Sequence, residues 1–212
     1  MIIAANQIYG VSAKCVDRFA AQADDLLFDD RSWNVTYVVM RMGGWLKRRR
    51  VLVTPNDLDS MEWAAKRVGL RLSGPQLQAA PPLESNPPVA MQKSRELELV
   101  AWDAYWSGVL DGPLGFGGDP HLRNTRAVTG HHVFGLDAEA GYVDDFVIDD
   151  REWQIRYLVV RLGRRRSANR VVIEPRWVET IVWEDRGVHI HLPKAQIEHG
   201  RTFVAEGLAS PS

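Results

Sequence analysis

A chain of 212 residues with 45% hydrophobic and 25% charged residues can bury a core and is too apolar to be disordered. Its formal net charge of −1 argues against bulk electrostatic binding of nucleic acid, which draws on a basic excess. Its single cysteine, Cys15, excludes an intrachain disulfide and fits a reducing compartment.

Met1 to Tyr9 has neither the basic start nor the long apolar centre of a signal peptide. No stretch approaches the roughly 20 apolar residues of a membrane helix. The expected location is cytoplasmic, with peripheral attachment at the inner membrane as the variant.

From Gly10 onward the chain repeats itself. Asp24-Asp25-Leu26-Leu27-Phe28-Asp29-Asp30-Arg31 returns 120 positions later as Asp144-Asp145-Phe146-Val147-Ile148-Asp149-Asp150-Arg151. Gly10 and Gly130, Tyr37 and Tyr157, Pro55 and Pro175, and Trp63 and Trp183 keep the same offset, without a gap, to Gln76 and Gln196. Two homologous units follow, each reading as all-β. Val35 to Met42 and Ile155 to Leu162 are rich in β-branched and aromatic residues. Asp29 to Asn34 and Asp149 to Gln154 are polar and lie between apolar runs, which predicts hairpin turns. Return strands are predicted at Arg50 to Val53 and Arg170 to Ile173, each ended by a proline. Last hairpins are predicted at Asp59 to Leu72 and Glu179 to Leu192. Closing such short strands into a barrel removes their exposed edges.

Between the units, Ala79 to Val89 is proline-rich and predicts a semi-extended spacer. Lys93 to Leu110 predicts a short helix whose Leu99, Trp102, Tyr105, Trp106 and Val109 form one aromatic stripe. Trp102, Tyr105 and Trp106 are candidates for a partner contact, since such residues dominate binding hot spots.

The second unit carries Gly130, Asp137, Gly141, Val143, Asp145, Asp149, Tyr157-Leu158-Val159-Val160 and Val171-Val172-Ile173-Glu174-Pro175. In these residues it resembles the PRC-barrel family, the cytoplasmic fold of the photosynthetic reaction-centre H subunit and of the end domain of a ribosome-maturation factor. His121-Leu122-Arg123-Asn124 before it is similar to bacterial two-barrel members. The first unit departs at its first hairpin, where Arg18 and Ala21 stand at positions that the family gives to glycine. The resemblance implies a mainly β fold, two small antiparallel PRC-type β-barrels in tandem, joined by a linker with one short helix. The expected division is 1–78 and 128–200 for the barrels, 79–127 for the linker and 201–212 for a flexible tail.

Two basic hairpin tips stand out as candidate partner-binding sites: Lys47, Arg48 and Arg49 beside Trp45, and Arg164, Arg165 and Arg166 at the equivalent place. The repeated aspartates read first as turn and strand-end solvation, because both copies carry them; their spacing is too loose for a calcium loop. His131-His132, and His189 with His191, have no counterpart in the first unit and no further ligand near them in sequence. No phosphate loop, nucleophile elbow or zinc signature is present, so no catalytic residue, cofactor or metal is assigned. The expected role is a noncatalytic scaffold that docks a protein partner, with a homodimer allowed and nucleic acid not expected. The alternatives are a peripheral accessory of a membrane electron-transfer complex and an RNA or ribosome assembly factor.

Overall fold

In the computed structural model of the chain, residues 1–43, 48–105, 118–163, 169–204 and 207–208 are described; of 98–105, 204 and 207–208 the backbone alone is. The first repeat contains β1 (Ile2–Ala4), α1 (Ala5–Ile8), β2 (Ser12–Lys14), β3 (Ala20–Asp29), β4 (Val35–Met42), β5 (Arg49–Val53), β6 (Leu58–Glu62), β7 (Arg67–Leu70) and α2 (Gly74–Ala79). A linker helix, α3 (Val89–Tyr105), follows. The second repeat contains β8 (Leu122–Asn124), α4 (Thr125–Val128), β9 (His132–Phe134), β10 (Glu139–Asp149), β11 (Gln154–Arg161), β12 (Arg170–Ile173), β13 (Val178–Val182), β14 (Gly187–Ile190) and α5 (Lys194–Glu198). Two short strands, β15 (Arg201–Val204) and β16 (Gly207–Leu208), end it.

The chain is mainly β and forms two sheets with one topology. The first runs β5-β4-β3-β2-β7-β6 and the second β12-β11-β10-β9-β14-β13. All neighbours along these paths are antiparallel except β2 with β7 and β9 with β14. Among the described residues no ladder joins the two ends of either path, so the pairings define sheets and not closed barrels.

Each long strand explains part of that. Along the start of β3, buried Ala21 and Ala23 alternate with exposed Ala20 and Gln22, the pattern of one buried face. A bulge at Asp24-Asp25 breaks the alternation. Beyond it Leu26, Leu27 and Phe28 are all buried, so both faces are covered. β10 does the same, with its bulge at Asp144-Asp145 and Phe146, Val147 and Ile148 buried after it. The free edge of each far half is then taken by the other repeat. β1 pairs with β10 (Ile2 with Asp149, Ala4 with Val147), and β8 pairs with β3 (Leu122 with Asp29, Asn124 with Leu27). The repeats have exchanged strands, position for position.

Leu26, Phe28, Val38, Val53, Phe146, Ile148, Leu158 and Ile173 share one apolar core that spans both repeats. Phe28 and Phe146 meet in it with ring centroids 5.6 Å apart. The opposite faces carry smaller, equivalent patches, Leu27-Val39-Leu52 and Val147-Val159-Val172. The linker covers the first, through Leu83 and Met91, and Phe203 of β15 covers the second. Leu83 and Phe203 are themselves 120 positions apart, so the repeat extends past Gln76. Arg201–Val204, expected to begin a flexible tail, is thus a strand because its aromatic residue has a patch to bury.

The helix α3 starts at Val89, earlier than the expected Lys93. Pro87-Pro88 precede it, where a missing N–H costs nothing, and Gln92 Nε2 donates to the carbonyls of Pro87 (2.7 Å) and Asp119 (3.0 Å). The first hairpins differ, as the substituted glycines predict: Arg18 takes a left-handed backbone (φ 67), and that turn closes between Cys15 and Phe19. Among the described residues no helix is long and apolar enough to cross a membrane.

Candidate functional site

The bulges decide what the repeated aspartates do. Two consecutive carboxylates leave each long strand in different directions. Asp24 pairs with Arg50 Nε at 2.9 Å and with Arg41 Nε at 3.6 Å; Asp144 pairs with the equivalent Arg170 at 2.6 Å and Arg161 at 3.8 Å. Asp25 turns toward the other repeat. It accepts from Asn124 Nδ2 (2.9 Å), Thr125 Oγ1 (2.9 Å) and the Arg126 N–H (3.2 Å) at the start of α4. Asp145 accepts from the Asn6 N–H (3.2 Å) at the start of α1. Each inner aspartate thus caps the short helix of the other repeat.

The two caps are not equally satisfied. Asn124 and Thr125 are replaced on the other side by Ala4 and Ala5, and Oδ2 of Asp145 is buried with no partner. Burial pushes the Asp145 carboxyl up to about 6. Burial also raises Asp25, against the pull of its hydrogen bonds. Tyr9 Oη donates to Thr125 Oγ1 at 2.8 Å, and burial raises its phenol too. At the next turns Asp30 is held by His121 Nδ1 (2.8 Å) and Arg123 Nε (2.6 Å), while Asp150 accepts from Trp63 Nε1 (2.7 Å). All four inner carboxylates serve the contact between repeats.

Of the sequence candidates, Arg48 and Arg49 are described and exposed. Trp45, Lys47, Arg164, Arg165, Arg166 and Trp106 lie outside the described residues, and of Trp102 and Tyr105 the backbone in α3 is described. His189 and His191 do not face one partner: His189 contacts Asp185 (3.2 Å), while His191 lies beyond β14 and its N–H donates to the Trp177 carbonyl. His131 is buried against Trp183, and burial pushes it down to about 4. Cys15 is buried, and its thiol is raised by burial. Among the described residues no three His, Cys, Asp or Glu side chains are grouped to hold a metal ion.

Sequence reasoning missed a row of planar side chains on the outer face of the second sheet. His189 on β14 stacks on Phe134 of β9 (5.3 Å between centroids), Phe134 on His132 (5.9 Å), and His132 packs on Tyr142 of β10 (4.8 Å). The Arg161 guanidinium closes the row, 5.7 Å from the Tyr142 ring. Glu139 pairs with His132 (2.9 Å) and Asp185 with His189. The sheet register places these residues side by side: His189 opposite Phe134, His132 opposite Tyr142, Tyr142 opposite Arg161. At the same places the first repeat has Gly69, Lys14, Ser12, Gln22 and Arg41. The fold therefore does not require the row. The signal was present as a difference between the copies, but only the register shows that the four residues adjoin.

A cleft of about 470 Å³ opens on the first repeat, between the β3 bulge, the start of α3 and the start of α4. Leu27, Val39, Leu83 and Met91 give it an apolar lining, and Asp24, Asp25, Arg50, Asn124 and Arg126 a polar one. No family model matches the chain, and no curated protein matches its sequence.

Proposed function

We propose that the chain is a noncatalytic docking module of two PRC-barrel-type repeats, which engages a protein partner through the row His189-Phe134-His132-Tyr142. The observation that carries this is the contrast between copies. The core positions Leu26, Phe28, Val38 and Val53 stay apolar in the second copy, whereas this half-exposed face changes from Gly69, Lys14, Ser12 and Gln22 to aromatic residues and histidine. Large amphipathic rings are the side chains that bind most strongly per residue at protein interfaces. The PRC-barrel reading of each unit is supported by the shared six-strand order and by the motifs that both copies hold.

The test exchanges the row for the first repeat's own residues: His132→Ser, Phe134→Lys, Tyr142→Gln and His189→Gly. Because the first repeat folds with those residues, the thermal midpoint should fall by only a few degrees. A partner captured by cross-linking in native extract should be lost. Retention of the same partner by the exchanged protein rejects the docking face. Release of the partner by RNase favours an RNA assembly role instead.

A further inference from the structure

We infer that the cleft on the first repeat binds a small organic anion with an apolar body, at a site independent of the docking face. Its polar wall selects for negative charge, although two aspartates line it. The carboxylate oxygens are already occupied. Asp24 is taken by Arg41 and Arg50, and Asp25 by Asn124, Thr125 and the Arg126 N–H. The terminal nitrogens of two guanidiniums are not, although the Arg126 plane also lies over the Tyr9 ring, 4.1 Å from its centroid. Arg50 uses Nε on the Asp24 carboxylate, and Arg126 uses Nε on the Asp24 carbonyl at 2.6 Å. No described residue takes their terminal nitrogens, and those are the donors that grip carboxylate, sulfonate or phosphate. Both are anchored on Asp24, and both residues line the cleft.

The apolar half has its own argument. Leu27, Val39 and Leu83 line the cleft as part of the outer patch, beside Met91. On the second repeat the equivalent patch is capped by the larger Phe203, and Asn6 and Ala4 stand where Arg126 and Asn124 do here. The pair of guanidiniums over an apolar floor exists on one side only. A volume of about 470 Å³ is that of a small-molecule site.

The probe is 8-anilinonaphthalene-1-sulfonate, an anion on an aromatic body, followed by fluorescence and calorimetry. Saturable binding of one probe per chain is expected. Two variants test the place: Arg126→Gln, which removes one guanidinium, and Ala90→Trp, which fills the cleft from the half-buried start of α3. Each should weaken binding about tenfold with an unchanged circular dichroism spectrum. N-phenyl-1-naphthylamine, the body without the charge, and sodium sulfate, the charge without the body, should each bind at least tenfold more weakly. Equal binding of the neutral analogue, equal competition by sulfate, or unchanged binding in Ala90→Trp overturns the assignment. Loss of the docking partner would leave these readings untouched, so the two proposals fail separately.

Discussion

Trp33 and Trp153 hold each other's strands. Both are buried and both take a left-handed backbone (φ 60 and 52). The Trp33 carbonyl accepts from Ile155 N–H at 2.8 Å, and the Trp153 carbonyl from Val35 N–H at 2.7 Å. A left-handed conformation at a bulky residue costs on the order of 1 kcal/mol and persists only where its surroundings fix it. Here the two sites fix each other.

Trp153→Ala is therefore expected to loosen both repeats. The lost ring and its cavity cost about 3–5 kcal/mol, read from urea unfolding. Amide exchange at Val35 and Ile155 should accelerate together, and the same should follow from Trp33→Ala. Acceleration at one of them alone would show that the repeats open separately.

Trp63→Phe keeps the buried ring against Trp153 (6.4 Å between centroids) but removes the donor to Asp150. Asp150 is 6% exposed, so its carboxylate loses a partner that water replaces poorly. The expected loss is about 2 kcal/mol, again from urea unfolding. Trp183→Phe, at the equivalent place, makes no such bond among the described residues and should cost clearly less.

The unequal caps predict unequal mutants. Asp25→Ala strands the Asn124 amide and the Thr125 hydroxyl inside the contact and should cost about 3 kcal/mol at pH 7.5. Asp145→Ala removes a buried charge that already lacks a partner on one oxygen, and should cost less than half as much. A larger loss at Asp145 would contradict the assignment of its bare oxygen.

Stability against pH carries two opposed contributions. Asp145 is pushed up to about 6, so between its unfolded value near 4 and that point the folded chain holds the extra proton, and stability rises as pH falls. His131 is pushed down to about 4, so from about 6.5 downward the unfolded chain holds the extra proton, and stability falls. Each is worth at most about 3 kcal/mol, and the two largely offset each other between pH 6 and 4. Asp145→Asn should expose the loss due to His131, with the denaturation midpoint dropping from pH 6.5 downward. His131→Val, the residue type of the equivalent Val11, should expose the gain. Parallel pH profiles for the two variants would show that neither group titrates as its burial implies.

The sequence made some of this legible. The Asp-Asp pairs, the constant offset and the prolines after β5 and β12 disclosed two like units, because turns and strand ends are local chemistry. The strand exchange was not legible. Ile2-Ile3-Ala4 and Leu122-Arg123-Asn124 are three residues each, and alternation within so short a run does not name a partner. Nor did the aspartates reveal their direction. A bulge separates Asp24 from Asp25, and its place depends on the opposing strand. The covering of Leu27 by Leu83 and of Val147 by Phe203 was hidden because the two covers share little beyond an apolar side chain at one offset.

The strand exchange also says something of origin. Because equivalent positions meet in pairs, a chain with one repeat could make the same contacts only as a homodimer of identical halves. In such a dimer a change on one flank is forced on the other. Joining the halves in one polypeptide lifts that constraint. Ala4-Ala5 could then part from Asn124-Thr125, and Lys14 from Phe134, each side free to specialise while its twin keeps the fold.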